Sequence, residues 1–341
     1  MRRSLLLLVL TGLIATACAG DGPSDTASDA TAPETSAAVT STVAEATSIM
    51  AAVTSTAAAT TATAVAEGFP VTVAGAEISD RPRAILSMSS TSTEILFAIG
   101  AGDQVVAVDS LSNYPPDAPI TDLSAFEPNI EAIVAFEPDL VVLFSDPGDL
   151  ADGLNGLGIP VITHIAPTTI EDAYAQIAEL GVVTGNIDGA GAVVAEMRTT
   201  IKDLVSQYSA PRAPLTYYHE VDNTLYSATS QTFIGSIYGL FGLENIADRA
   251  DADGTNFGFP QLSEEYIVEA DPDIIFYGCA VWCGTNAETL AERPGWDQIT
   301  AVSNGAMVEL DDDIVSRWGP RLVEFVSLIE GSLAQLQNAA A

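Results

Sequence analysis

Few side chains in this sequence could carry covalent chemistry. Of 341 residues, two are histidine (His164 and His219), three are cysteine and one is lysine, Lys202. Lys202 follows no glycine-rich loop, which excludes a Walker-type NTPase, whose lysine must reach the nucleotide phosphates. No Gly-x-Ser-x-Gly elbow occurs, so the commonest serine-hydrolase pattern is missing. Histidine and cysteine are too scarce for His-rich zinc chemistry. Asp311, Asp312 and Asp313 keep a carboxylate-dependent hydrolase or a metal site open as an alternative. Three consecutive aspartates cannot all face one site, however, and a solvated acidic loop explains them as well. Cys279 and Cys283 read as a local disulfide in an exported protein, with free thiols or metal binding as alternatives. His219 ends an expected strand after Tyr217 and Tyr218; it could ligate a haem iron or simply pack. Catalysis is the weaker reading.

Charge narrows the partners. Eleven basic residues face 46 acidic ones, a formal net charge of −35. Nucleic acid is excluded, because phosphate contacts need a cationic face. Arg2 and Arg3 precede an apolar run from Leu5 to Ile14 and then Ala15-Thr16-Ala17-Cys18, the pattern of a secretory signal. The apolar run falls short of the ~20 residues a spanning helix needs. Residues 19–68 hold 16 Ala, 11 Thr and 6 Ser with no aromatic, Lys or Arg. Such a segment cannot bury enough apolar surface to offset its ordering entropy, so a flexible tether is expected, with a span on the order of 40 Å. The acidity is concentrated in residues 69–341, which carry nine basic and 40 acidic side chains.

Residues 69–341 alternate short apolar runs with helical patterns, which predicts strands near 84–88, 105–108, 140–144, 160–163, 215–219, 274–277 and 308–310. Helices are expected near 93–99, 130–136, 187–208, 233–241, 264–269, 287–292 and 322–336. The punctuation is that of an α/β protein with mainly parallel sheets. The expected organisation is a signal peptide (1–17), a tether (18–68), an N-terminal lobe (69–186), a long connecting helix (187–209) and a C-terminal lobe (210–341). An internal echo supports two lobes: Asn129-Ile-Glu…Glu-Pro-Asp-Leu-Val-Val142 matches Ser263-Glu-Glu…Asp-Pro-Asp-Ile-Ile-Phe276 at a constant offset. Glu94-Ile-Leu-Phe-Ala-Ile-Gly100 and Ser236-Ile-Tyr-Gly-Leu-Phe-Gly242 form a second pair. In the first pair Glu131 and Glu265 align, and each should be exposed.

The succession Arg83-Ala-Ile-Leu-Ser-Met-Ser-Ser-Thr-Ser-Thr-Glu-Ile-Leu, Asn113-Tyr-Pro-Pro, Glu137-Pro-Asp-Leu-Val, Pro260-Gln-Leu-Ser-Glu-Glu-Tyr, Arg293-Pro-Gly-Trp and Trp318-Gly-Pro-Arg-Leu resembles the substrate-binding proteins of bacterial ABC importers. The nearest branch takes up cobalamin, ferric siderophores and haem. The resemblance covers about residues 83–330. It implies two three-layer α/β lobes joined by one helix, a ligand cleft between them, and no enzymatic step. It further implies a monomer that docks on a permease dimer with its ATPase, with no cofactor beyond the metal chelate it carries. Cys18, directly after small residues, resembles the acylated cysteine of bacterial lipoproteins, which would anchor the chain to the outer face of the cell membrane. Plain secretion and a tethered haem-binding or signalling module remain as alternatives.

The resemblance also distributes roles. Glu131 and Glu265 fall where the family places one permease-docking carboxylate on each lobe. Phe126, Phe144, Tyr226 and Phe259 lie near positions where corrinoid binders carry aromatics, and Asp313 with Arg317 matches a polar pair there. Trp282 and Trp318 should border the cleft, because ligands of open α/β sheets sit at the carboxyl ends of strands. Cations are scarce, so a neutral ferric hydroxamate or cobalamin suits the composition better than a tri-anionic catecholate complex.

Overall fold

The computed structural model describes residues 68–340; the signal peptide, Cys18 and the tether lie outside the described residues. A short antiparallel hairpin opens this region, β1 (Val71–Val73) paired with β2 (Ala76–Ile78). Its two-residue turn has φ of 48° at Ala74 and 83° at Gly75, the double left-handed geometry that matches strand twist in tight hairpins. Sequence patterning alone predicts no element here.

The N-terminal lobe holds β3 (Ile85–Met88), β4 (Val105–Val108), β5 (Leu140–Leu143) and β6 (Val161–Thr163) in the order β4-β3-β5-β6. The C-terminal lobe holds β7 (Thr216–Glu220), β8 (Glu244–Asn245), β9 (Ile274–Tyr277) and β10 (Met307–Glu309) in the order β10-β9-β7-β8. All six pairings in these two sheets are parallel. Numbered within each lobe, both sheets run second-first-third-fourth. The two lobes are wound alike.

That shared winding accounts for the internal echo residue by residue. The helices Ile130–Val134 and Glu264–Ala270 precede the third strand of their lobes, capped by the side chains of Asn129 and Ser263. The Pro-Asp that follows each helix has a structural task. Asp139 accepts from the amides of Arg83 and Ala84 at the entry to β3, and Asp273 accepts from the amide and hydroxyl of Thr216 at the entry to β7. Each aspartate ties the start of its lobe's first strand to the start of its third. The second echo pair lies in equivalent helices too, Ser90–Ala98 after β3 and Phe233–Gly239 after β7.

The connecting helix Ile187–Gln207 buries Ala190, Met197 and Ile201 and would span about 30 Å at 1.5 Å per residue. It packs on the helix Ile170–Thr184 and on the final helix Leu322–Ala340. Gly189 lets it approach closely: a Cβ there would stand 2.2 Å from the Ile99 carbonyl oxygen. The helix Ile170–Thr184 is absent from the sequence-based expectation, although Thr169 and Asp172 form a reciprocal capping box at its start. No helix among the described residues is long and apolar enough to cross a membrane.

Candidate functional site

A buried polar clasp joins the lobes. Glu94, on the N-terminal lobe's helix Ser90–Ala98, receives Arg317 Nη1 at 2.9 Å, Arg321 Nη2 at 2.6 Å and Arg321 Nε at 3.0 Å. Arg317 also donates to Asn113 Oδ1 (2.9 Å), the Leu111 carbonyl (3.1 Å) and Asp313 Oδ1 (2.5 Å), while Asn113 Nδ2 donates to Asp313 Oδ2 at 2.6 Å. Arg321 lies 4.3 Å above the Tyr114 ring, and its pKa is held above the ordinary guanidinium value, chiefly by the hydrogen bonds to Glu94. A second strap crosses beside it: Trp318 Nε1 donates to Gln176 Oε1 at 2.6 Å. Arg317 does pair with Asp313, but its guanidinium is also taken up by Glu94 and Asn113 and is not free to meet an anionic ligand. Its guanidinium is buried, and a buried cation requires the carboxylates that now occupy it.

Next to the clasp lies a cavity of about 620 Å³, within the range of small-molecule sites. It opens where the strands end, as the sheet architecture dictates. Pro167, after β6, comes from one lobe; His219 and Glu220 at the end of β7, Gly278 after β9, and Phe259 and Trp318 come from the other. The walls are mostly apolar, and no Lys or Arg lines them among the described residues. The ionisable groups that do are already engaged. Glu220 is held bidentately by Arg293 at 2.6 and 2.8 Å, and that guanidinium stacks 4.5 Å from the Trp296 ring. Asp312 Oδ1 accepts from the Cys279 amide at 2.8 Å. His219 shares a 2.9 Å hydrogen bond through Nδ1 with the Tyr238 hydroxyl, and burial lowers its pKa to about 3, so the ring is neutral.

The residues singled out from sequence are not gathered into one site. Phe259 lines this cavity. Trp282 and Asp313 instead line a second cavity, of about 810 Å³, which also takes in Leu111 and Asn113. Phe126 and Phe144 form an edge-to-face pair with centroids 5.3 Å apart, outside the lining of either cavity. Tyr226 is half-exposed and bridges to Gln261, also outside both linings. Cys279 and Cys283 are disulfide-bonded across the short helix Ala280–Cys283, which carries Trp282. The three aspartates diverge: Asp311 caps the amide of Asp313, Asp312 holds Cys279 and Asp313 meets the clasp. They do not converge on a reacting atom. Glu131 and Glu265 are both exposed, each at the second position of its helix. Sequence reasoning missed Phe257, two residues before Phe259, which also lines the first cavity.

Residues 85–314 match the periplasmic binding protein family. The chain belongs to this family. Among relatives of the binding protein, an uncharacterized ABC transporter substrate-binding lipoprotein of Bacillus subtilis, YvrC, is 29% identical over 281 residues, covering 78% of this chain and 86% of that one. A cobalamin-binding protein of Halobacterium salinarum is 32% identical over 271 residues, 75% of this chain and 72% of that one. The crystal structure of the periplasmic vitamin B12 binding protein BtuF of Vibrio cholerae superposes with a TM-score of 0.62 at 24% identity, covering 75% of this chain and 98% of that one. The family and these relatives are binding proteins of transporters rather than enzymes.

Proposed function

We propose that this periplasmic binding protein is the extracytoplasmic substrate-binding lipoprotein of an ABC importer. It captures a bulky, near-neutral metal chelate, cobalamin ahead of a ferric hydroxamate, and passes it unchanged to the permease. The observation that carries the reading is the cleft itself: apolar and aromatic walls at the strand ends, with no Lys or Arg among the described residues that line it. Aromatic walls supply broad contact to a large ligand with few polar groups to orient it. An anionic chelate would have to leave water without a cation to receive it. The 32% identity to a cobalamin-binding protein favours cobalamin of the two.

Quenching of tryptophan fluorescence tests this directly, since Trp318 borders the cavity. Cyanocobalamin should quench saturably, and a tri-anionic ferric catecholate should not. Phe259→Ala should weaken cyanocobalamin binding by about 1.5–3 kcal/mol, roughly ten- to hundredfold, if the ring is desolvated against the ligand. Saturable quenching by the catecholate, with none by cyanocobalamin or a ferric hydroxamate, would overturn the ligand class.

The anchor is a separate matter. Acylation of Cys18 would place the binder on the outer face of the membrane, with residues 19–68 as its tether. Expressed in its own export context, the protein should fractionate with membranes and the Cys18→Ser variant should not. Equal membrane retention of both would remove the lipid anchor from this reading.

A further inference from the structure

Phe257 is the most exposed large apolar side chain among the described residues, at 89%, although it lines the first cavity. It also has a backbone that phenylalanine rarely adopts, with φ at +53°, in the left-handed region. Exposure and backbone conformation are both unfavourable for this residue type, and no aromatic partner among the described residues offsets them. The loop nevertheless holds it firmly. Asp251 accepts from the amides of Asn256 (2.8 Å) and Gly258 (2.7 Å) on either side of it, and the Gly258 carbonyl accepts from the Thr229 amide at 2.8 Å. Gly258, at φ +86°, presses against Thr232, where a Cβ would come within 2.6 Å of the methyl carbon. The chain is clamped before and after Phe257, and the ring between is left largely exposed. Strain of this kind, fixed by its surroundings, clusters at ligand sites.

We infer that Phe257 is a ligand-contacting, specificity-determining residue, whose ring completes the cleft by covering a broad apolar face of the bound chelate. This rests on the proposed ligand class and adds a selectivity to it. A rigid macrocyclic face offers a phenyl ring more continuous contact than the folded open chains of a hydroxamate, so Phe257 should favour cobalamin. The variant Phe257→Asn removes the ring and keeps a residue that tolerates the left-handed backbone. Phe257→Trp keeps an aromatic face.

Affinities for cyanocobalamin and for ferrioxamine B, read by fluorescence quenching beside thermal midpoints, form the test. Phe257→Asn should bind cyanocobalamin at least tenfold more weakly with an unchanged or higher midpoint, and ferrioxamine B less than threefold more weakly. Phe257→Trp should stay within threefold of the parent for cyanocobalamin. Parent-like affinity of Phe257→Asn for cyanocobalamin, or equal losses for both ligands, would overturn the assignment while leaving the ligand class intact. Absence of saturable binding by the parent protein to either probe would overturn both together.

Discussion

Glu94→Ala should destabilise the folded domain by about 3–5 kcal/mol, the range for breaking a buried ion pair by removing one partner. The size reflects what Glu94 holds. Its carboxylate is almost wholly buried and receives three hydrogen bonds from two guanidiniums. Arg317 would keep Asp313 and Asn113, but Arg321 would lose both of its charge-assisted bonds and retain only its stack on Tyr114. Leaving the part-buried Arg321 unpaired, and the buried Arg317 with one carboxylate fewer, is what makes the loss large; an exposed pair such as Arg198–Glu171 would cost far less. The urea midpoint at unchanged m-value gives the measurement. Replacing Glu94, Arg317 and Arg321 together by apolar residues of similar volume should recover much of the loss, because it removes the stranded charges as well. A loss below about 1 kcal/mol for Glu94→Ala, the size of an exposed pair, would mean that the clasp is not formed in solution. Because the clasp joins the two lobes, the same variant should leave them less well fixed to one another. Its ligand affinity should fall even at temperatures where it stays folded.

The lobes, their parallel sheets and the connecting helix were legible because their signals are local. Buried strands such as Leu140–Leu143 and Ile274–Tyr277 are short apolar runs bounded by Pro-Asp and loop residues. The echo around Glu131 and Glu265 carried real topology, since Asp139 and Asp273 perform the same tie in each lobe. The helix Ile170–Thr184 is legible in principle through its capping box, but the longer helix after it dominates the pattern. The site was harder to read because proximity across a cleft leaves no periodic trace. Arg317 and Glu94 stand 223 residues apart, and nothing in their local sequence says that they neutralise each other. Phe257 differs again: what marks it out is a left-handed φ and high exposure, neither of which composition reveals.

Reversing the charge at Glu131 and Glu265 together, as Glu131→Arg with Glu265→Arg, should reduce uptake at least tenfold and leave cyanocobalamin affinity within twofold of the parent. The two carboxylates hold the same place in two lobes of the same winding, exposed at the second residue of the helix before the third strand. A permease built from two like subunits presents two like surfaces, and a pair so placed can meet both at once. Exposed charges at the rim of an interface steer and orient encounter more than they tighten it, so loss should appear in delivery and in its salt dependence. Neither residue lines either cavity, which is why binding by the isolated protein should be spared. Charge reversal also makes the protein less acidic overall, and that effect needs its own control. Glu196→Arg with Asp203→Arg, exposed on the connecting helix, changes the net charge equally at a different place and should transport at close to the parent rate. Vesicles carrying the permease and its ATPase, supplied with each variant and labelled cobalamin, measure the difference. Equal impairment by both double variants would reduce the effect to net charge, and a matching loss of cobalamin affinity in the Glu131/Glu265 variant would move those carboxylates from the docking face into the cleft.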